Sequence, residues 1–268
     1  MRRMALILLA AALLALRLWV DNCTVRTKEY DIPCGIPSGF EGLRIAQISD
    51  LHGNERLYEA LLRHTRASKP DLIFLTGDIT DAEEQWPKLE ELLTALTEIA
   101  PCYYVSGNHE WADLEPEPLF RRIGDTGVRV LRNEWVLLER GGDRVALAGV
   151  EDPNGYADMI QPRDLCRLIR DSSEEFIIAL CHRPGLFPVL AEGGCGLVFS
   201  GHNHGGVIRL PFYGGLIPPA RKTGEYDAGL FYRDGSVMLV SPGLTGVSGI
   251  PRFLNRPQLC LAVLHEWQ

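Results

Sequence analysis

Leu43-Arg44-Ile45-Ala46-Gln47-Ile48-Ser49-Asp50-Leu51-His52 is a short apolar run that stops abruptly at Ser-Asp-x-His. The pattern returns twice downstream, where Leu72 to Leu75 leads into Thr76-Gly77-Asp78 and Tyr103 to Val105 leads into Ser106-Gly107-Asn108-His109-Glu110. Between these runs lie longer segments of helical spacing, Glu55 to Ala67 and Glu83 to Ile99. Strand-like and helix-like segments in alternation predict an α/β unit whose parallel strands are buried on both faces. After Val128 the helical spacing fades. Strand-like pieces follow at Val128–Leu131, Trp135–Leu138, Val145–Val150, Phe176–Leu180, Leu197–Phe199 and Val237–Val240, with only Pro162–Asp171 helical among them. The expected fold is one α/β domain of two packed mixed sheets flanked by helices.

With 268 residues, 46% hydrophobic and 23% charged, the chain supports one large core and is short for two. A formal net charge of −8 argues against a nucleic-acid backbone as partner, because such proteins carry a basic face. The seven cysteines are scattered singly, without a CxxC, and read as small buried hydrophobes, not as a disulfide framework or a zinc ribbon.

Residues 1–22 differ in kind: Met1-Arg2-Arg3 precedes an apolar run from Met4 to Leu16, then Arg17-Leu18-Trp19-Val20. As a helix, Met4 to Val20 covers about 25 Å, a little short of the ~30 Å hydrocarbon core. Arg17 can snorkel and Trp19 can sit at the interface. A membrane anchor is expected, with a cleaved signal peptide as the alternative; no small-x-small cleavage site follows Arg17. Arg2 and Arg3 would hold the N-terminus in the cytoplasm and place the catalytic domain outside the cell membrane. Residues 23–42, turn-rich with Pro33, Gly35, Pro37 and Gly39, read as a linker or an edge hairpin, and residues 43–268 as the domain.

The chemistry gathers where strands end. Besides the three clusters above, Ile177 to Leu180 leads into Cys181-His182, and Leu197 to Ser200 into Gly201-His202-Asn203-His204. Ligands of open α/β sheets bind beyond the carboxyl ends of the strands. Five of the chain's seven histidines fall in these clusters, leaving His64 and His265 as ordinary residues. Carboxylate, imidazole and amide groups in one pocket suit manganese, iron or zinc and are too nitrogen-rich for calcium. More such groups converge than one ion needs. Two ions about 3.5–4 Å apart, sharing a carboxylate, would activate water without a protein base. Taken singly the pieces are weaker: Gly77-Asp78 alone reads as a turn with a helix cap, and His182 alone as a core histidine.

Together, Asp50-x-His52, Gly77-Asp78-x-x-Asp81, Gly107-Asn108-His109-Glu110, His182 and Gly201-His202-x-His204 resemble the motif set of the calcineurin-like metallophosphoesterases. The resemblance implies that Asp50, His52 and His204 bind one metal ion, Asn108, His182 and His202 a second, and that Asp78 bridges them. It further implies that His109 protonates the leaving oxygen and that Asp81 orients it. Within the superfamily, the lead-in Phe40 to His52 and the tail Arg252-Phe253-Leu254-Asn255-Arg256-Pro257 are similar to membrane-anchored bacterial phosphodiesterases of the YaeI and YkuE type. The implied activity is hydrolysis of a phosphodiester or pyrophosphate bond in a phosphorylated small molecule or lipid, with two divalent ions (Mn²⁺, Fe²⁺/Fe³⁺ or Zn²⁺). The rivals are a broad phosphomonoesterase and a catalytically silent scaffold of the same fold. Arg252 and Arg256 are candidates to grip a substrate phosphate, surface salt bridges being the alternative. Gly206 to Ala220, rich in Leu210, Phe212, Tyr213, Leu216, Ile217 and Pro218, forms either an apolar lip beside the site or a loop packed on the second sheet.

Overall fold

Ile45 and Gln47 face one side of their strand while Ala46 and Ile48 face the other, and all four are buried. That two-residue period, apolar on both faces, requires a covering layer on each side of the sheet. The computed structural model describes residues 1–112, 115–156, 159–172, 175–217, 225–247 and 249–267 and shows how each face is covered.

The first sheet has the order β1-β14-β2-β3-β4-β5, from β1 (Arg26–Pro33), β2 (Arg44–Ile48), β3 (Leu72–Thr76), β4 (Cys102–Val105), β5 (Arg129–Val130) and β14 (Gln258–His265). β2 to β5 run parallel, β14 is antiparallel to β2, and β1 is parallel to β14. The second sheet has the order β12-β13-β9-β8-β7-β6, from β6 (Glu134–Arg140), β7 (Asp143–Val150), β8 (Phe176–Cys181), β9 (Cys195–Ser200), β12 (Gly229–Arg233) and β13 (Ser236–Val240). Its centre, β7-β8-β9-β13, is parallel, with an antiparallel strand at each edge. A short hairpin, β10 (Arg209–Leu210) and β11 (Gly214–Gly215), stands apart.

Between the sheets Ile45, Phe74, Val105, Leu147, Ile178, Leu180, Phe199 and Leu239 form the central core. The outer face of the first sheet packs on α2 (Tyr58–Ser68), α3 (Trp86–Thr97) and α5 (Pro116–Asp125) through Leu61, Leu89, Leu93, Leu96 and Ile123. That of the second packs on α6 (Pro162–Ser172) and α7 (Phe187–Glu192) through Leu165, Ile169, Phe187 and Leu190. The short helix α4 (Asn108–Ala112) begins within the third strand-end cluster. Six cysteines are buried, as expected of small hydrophobes, and Cys23 is half-buried.

Three elements differ from expectation. The stretch read as a linker contains β1, whose Tyr30 and Ile32 point inward while its polar residues face out. It is an edge strand, the place where its terminal Pro33 is tolerated. β14 is an unexpected central strand, with every residue from Gln258 to Leu264 buried. α5 begins with Pro116-Glu117-Pro118, which looks like a break, but proline fits the first turn of a helix because that turn needs no N–H.

α1 (Arg2–Cys23) has 22 residues and contains an 18-residue stretch with a mean hydropathy of 2.1, long and apolar enough to cross a membrane. It leaves the domain with its apolar side chains exposed, and only its last turn is docked. Asp21 is buried and accepts the Leu254 N–H at 2.6 Å, while the Asn22 side chain accepts from Arg252 N at 2.9 Å and donates to Arg252 O at 3.0 Å. The stretch after His204 is exposed at Leu210, Phe212, Tyr213, Leu216 and Ile217, so it is not packed on the second sheet there. Pro218 and Ala220 lie outside the described residues.

Phe199 sits between the sheets, edge-on to Phe74 with ring centroids 5.1 Å apart. Phe199→Ala is expected to cost about 3–5 kcal/mol of unfolding free energy, read from urea denaturation of the purified protein.

Candidate metal centre

The five strand-end clusters meet at one edge where the two sheets come together. The Gln47 side chain at the end of β2 donates to Thr76 Oγ1 at 3.1 Å and to the Ser200 carbonyl at 2.8 Å, fastening β2 to β9 across the sheets. Beyond that fastening, the backbone turns sharply. Asp50, His52, Asp78, His202 and His204 all have positive φ, between 47° and 71°, a region costly for residues with a Cβ. The glycines of the motifs allow the turns to touch. A Cβ on Gly107 would lie 2.2 Å from Asp78 Oδ1, and one on Gly201 would lie 1.9 Å from Ser49 Oγ.

Three histidines are held by their Nδ1 atoms. His182 Nδ1 lies 2.8 Å from the Thr76 carbonyl, His204 Nδ1 2.8 Å from the Thr245 carbonyl, and His52 Nδ1 2.6 Å from Asp81 Oδ1. A carbonyl only accepts, so Nδ1 of His182 and His204 carries a proton and Nε2 is the nitrogen that would face a metal ion. Those Nε2 atoms turn toward carboxylates: His182 Nε2 is 3.1 Å from Asp78 Oδ2, and His204 Nε2 is 3.6 Å from Asp50 Oδ1. His52 Nε2 is 3.9 Å from Asp78 Oδ2, and His202 Nδ1 is 3.2 Å from His182 Nε2. Atoms ligated at about 2.1 Å lie about 3–3.4 Å from one another around a single ion.

Two groups result, Asp50-His52-His204 and Asp78-His182-His202, each with ligand atoms close enough to hold one ion. Asp78 Oδ2 faces both. The donor set fits two ions on a further ground: His52 Nε2 and Asn108 Oδ1 are buried without a hydrogen-bond partner, as atoms awaiting a metal would be. A third group, His52-Asp81-His109, is already joined by hydrogen bonds and ion pairing, since Asp81 Oδ1 also lies 3.1 Å from His109 Nδ1.

The electrostatics are those of a site built for cations. Burial opposes protonation of His182, yet the Asp78 carboxylate overcomes it and raises the imidazole to about 10. His202, with burial and the neighbouring His182 both acting against its charge, is pushed down to about 4. Burial alone would raise Asp81, but hydrogen bonds from His109 and His52 hold it well below the usual carboxylate range.

The sequence profile of the calcineurin-like phosphoesterases matches residues 43–206. The chain belongs to that family. It is similar to the metallophosphoesterase YkuE of Bacillus subtilis, 31% identical over 259 residues that cover 92% of this chain and 87% of YkuE. It is also similar to the UDP-2,3-diacylglucosamine pyrophosphatase LpxG of Chlamydia muridarum, 26% identical, with 82% of this chain and 83% of LpxG covered. Among solved structures, a dimetal phosphatase from Danio rerio superimposes with a TM-score of 0.51 at 13% identity, covering 84% of this chain and 94% of that one. This calcineurin-like phosphoesterase is therefore a metal-dependent phosphohydrolase, and its family uses a dimetal centre.

The two arginines expected to grip substrate phosphate are placed otherwise. Arg252 is 1% exposed and donates to three carbonyls: Nε to Asn255 at 2.6 Å, Nη1 to Thr245 at 2.6 Å and Nη2 to Pro242 at 2.7 Å. These bonds lie inside the loop that carries the Thr245 carbonyl, the partner of His204. Arg256 donates to the Val25 carbonyl at 2.5 Å, tying the start of β1. Arg252 is held there because the carbonyls of its loop face inward with no strand partner, and a guanidinium satisfies several at once.

The reading of the sequence gave Glu110 no role of its own. Its carboxylate is buried and accepts the N–H groups of Asp78 at 3.1 Å, Ile79 at 2.7 Å and Gly107 at 2.8 Å, stitching the second cluster to the third. Burial, with the Asp78 charge adding to it, pushes Glu110 up to about 7. Its position inside the Gly-Asn-His-Glu motif is the signal that could have found it. The carbonyls of Thr76 and Thr245 left no signal, since any residue supplies a carbonyl.

Glu110→Ala should cost about 1–3 kcal/mol for each buried N–H left bare, measured by urea denaturation, and should lower metal content measured by elemental analysis. Arg252→Lys should lower the melting temperature while leaving KM for a soluble diester unchanged; a raised KM with an unchanged melting temperature would restore Arg252 as a substrate contact.

Proposed function

We propose that this phosphoesterase hydrolyses a phosphodiester or pyrophosphate bond in a membrane-borne substrate, using manganese, iron or zinc at two adjoining sites. The observation that carries the reading is Asp78: one carboxylate oxygen faces His182 of one ligand group and His52 of the other. Asp50, His52 and His204 would hold one ion, Asn108, His182 and His202 the other, with Asp78 between them. When bound, such a pair activates water and draws charge from the phosphoryl oxygens.

The chain's own groups supply the rest. Asp81 Oδ1 pairs with His109 Nδ1 at 3.1 Å, which leaves His109 Nε2 to carry the proton that the departing oxygen needs, and His109 is half-exposed, as a group that meets substrate should be. The shared hydrogen bonds from His52 and His109 keep Asp81 anionic, favouring the protonated imidazole.

A membrane-borne substrate is favoured by the placement of α1. A cleft of about 350 Å³ is lined together by Asn22 and Cys23 at the end of α1, by Asn54 and Arg56 just after His52, and by Leu244 and Thr245 beside His204. LpxG, whose name specifies the pyrophosphate of a diacylated nucleotide sugar, is consistent with such a substrate here. Arg2 and Arg3 favour an extracytoplasmic catalytic domain.

Full-length protein stripped of metal, then given Mn²⁺, Zn²⁺ or Fe²⁺, is expected to take up two ions per chain and to cleave a chromogenic phosphodiester faster than the matching monoester. His109→Ala should lower kcat by about 10²–10⁴ with metal content unchanged. Asp81→Asn should act in the same direction, more weakly. A monoester preference would shift the reading to a phosphomonoesterase, and failure to bind metal would end it.

A further inference from the structure

The segment from Leu210 to Ile217 reads Leu-Pro-Phe-Tyr-Gly-Gly-Leu-Ile, with no charge in eight residues. Its hydrophobic side chains point into solvent: Phe212 at the tip is 111% exposed and Tyr213 75% exposed, with Leu210, Leu216 and Ile217 also open. Single exposed apolar residues are ordinary, but five within eight residues form a patch that something covers. The adjoining Arg209 is neutralised by Asp227 at 2.9 Å.

What covers it follows from what it is tied to. Residues 252–254 form a strap shared by two elements. On one flank, Arg252 and Leu254 hold the last turn of α1 through Asn22 and Asp21. On the other, Phe253 donates to the Val207 carbonyl at 3.3 Å and accepts the Arg209 N–H at 3.0 Å. The end of α1 and the start of β10 are thus both bonded to the same three residues. The apolar hairpin therefore stands next to the point where the apolar helix enters the domain. A patch with Phe and Tyr at its tip suits the headgroup boundary, where aromatic rings collect.

We propose that the β10–β11 hairpin is a second membrane contact: its tip enters the headgroup boundary of the phospholipid bilayer that α1 crosses and seats the domain with its metal edge toward that surface. The inference rests on α1 as the anchor. With α1 alone the domain would be free to tilt about a single tether. With the hairpin engaged, His204, five residues before Arg209, is held close to the lipid headgroups, and the cleft beside α1 opens along the bilayer surface.

The test uses the full chain in phosphatidylethanolamine–phosphatidylglycerol vesicles, with Cys23→Ser removing the one cysteine that is not buried. Nitroxide labels are placed singly at Phe212→Cys, at Leu8→Cys within α1, and at Tyr232→Cys on β12, and collisions with oxygen and with a water-soluble nickel chelate are compared. The proposal expects nickel collisions at position 212 to fall several-fold on reconstitution, toward the level at position 8, with oxygen collisions rising and position 232 unchanged. A label at 212 as open to nickel as that at 232, while position 8 is protected, would overturn the hairpin contact and leave the anchor standing. Nickel access at position 8 would overturn the anchor and the inference together. Protection at 212 accompanied by dipolar coupling between labels of two chains would show a second copy, not lipid, on the patch and would also overturn it.

Discussion

Asp78 is the point on which the two halves of the molecule depend. Its carboxylate lies at the end of a strand in one sheet yet faces histidines from both sheets, so it stands between the two groups. Buried with His182 and His52 turned toward it, the carboxylate stays well below its usual range although burial alone would raise it. A charge this far from water is tolerable only where cations or protons answer it. In the metal-free state His182 provides that answer by holding a proton. The site is thus poised to exchange protons for ions.

Holding such a carboxylate in place demands a stiff frame, and the loops are built accordingly. Five residues expected as ligands have left-handed backbone, each at a cost of order 1–3 kcal/mol where the residue is not glycine. The strain persists because neighbouring contacts overdetermine it. Glu110 gathers three N–H groups from two loops, Asp50 accepts the His202 N–H at 3.0 Å across the sheets, and Arg252 ties three carbonyls behind His204. Much of the polar interior near this edge serves the geometry of a few oxygen and nitrogen atoms.

The sequence disclosed this edge well because strand ends leave a local signature: an apolar run cut off by Asp, His or Gly-Asn-His. Asp50, Asp78, His182, His202 and His204 could be located from such breaks alone. What it hid was set by tertiary contact. β14 is an apolar run with no turn or cap to say which strands it separates, and β1 looks like a linker because its proline and polar residues suit an edge. Arg252 was misread because a sequence gives a side chain's charge but not the carbonyls waiting for it. Hairpin exposure was undecidable from composition, since the same apolar residues would serve equally to pack a loop.

The pairing of β1 with β14 bears on how the molecule is made. Among the described residues the first strand of the domain finds its only sheet neighbour in the last, and β14 in turn separates β1 from β2. Even the final turn of α1 is fastened by residues 252 and 254, just before β14. Such a domain cannot close until β14 has been made, because the strand that joins its beginning to its middle is the last strand of the fold. Until then β1, with Tyr30 and Ile32, has no sheet to join. The loop behind His204 is tied by Arg252, so the metal site too takes its shape only once the chain has been made that far.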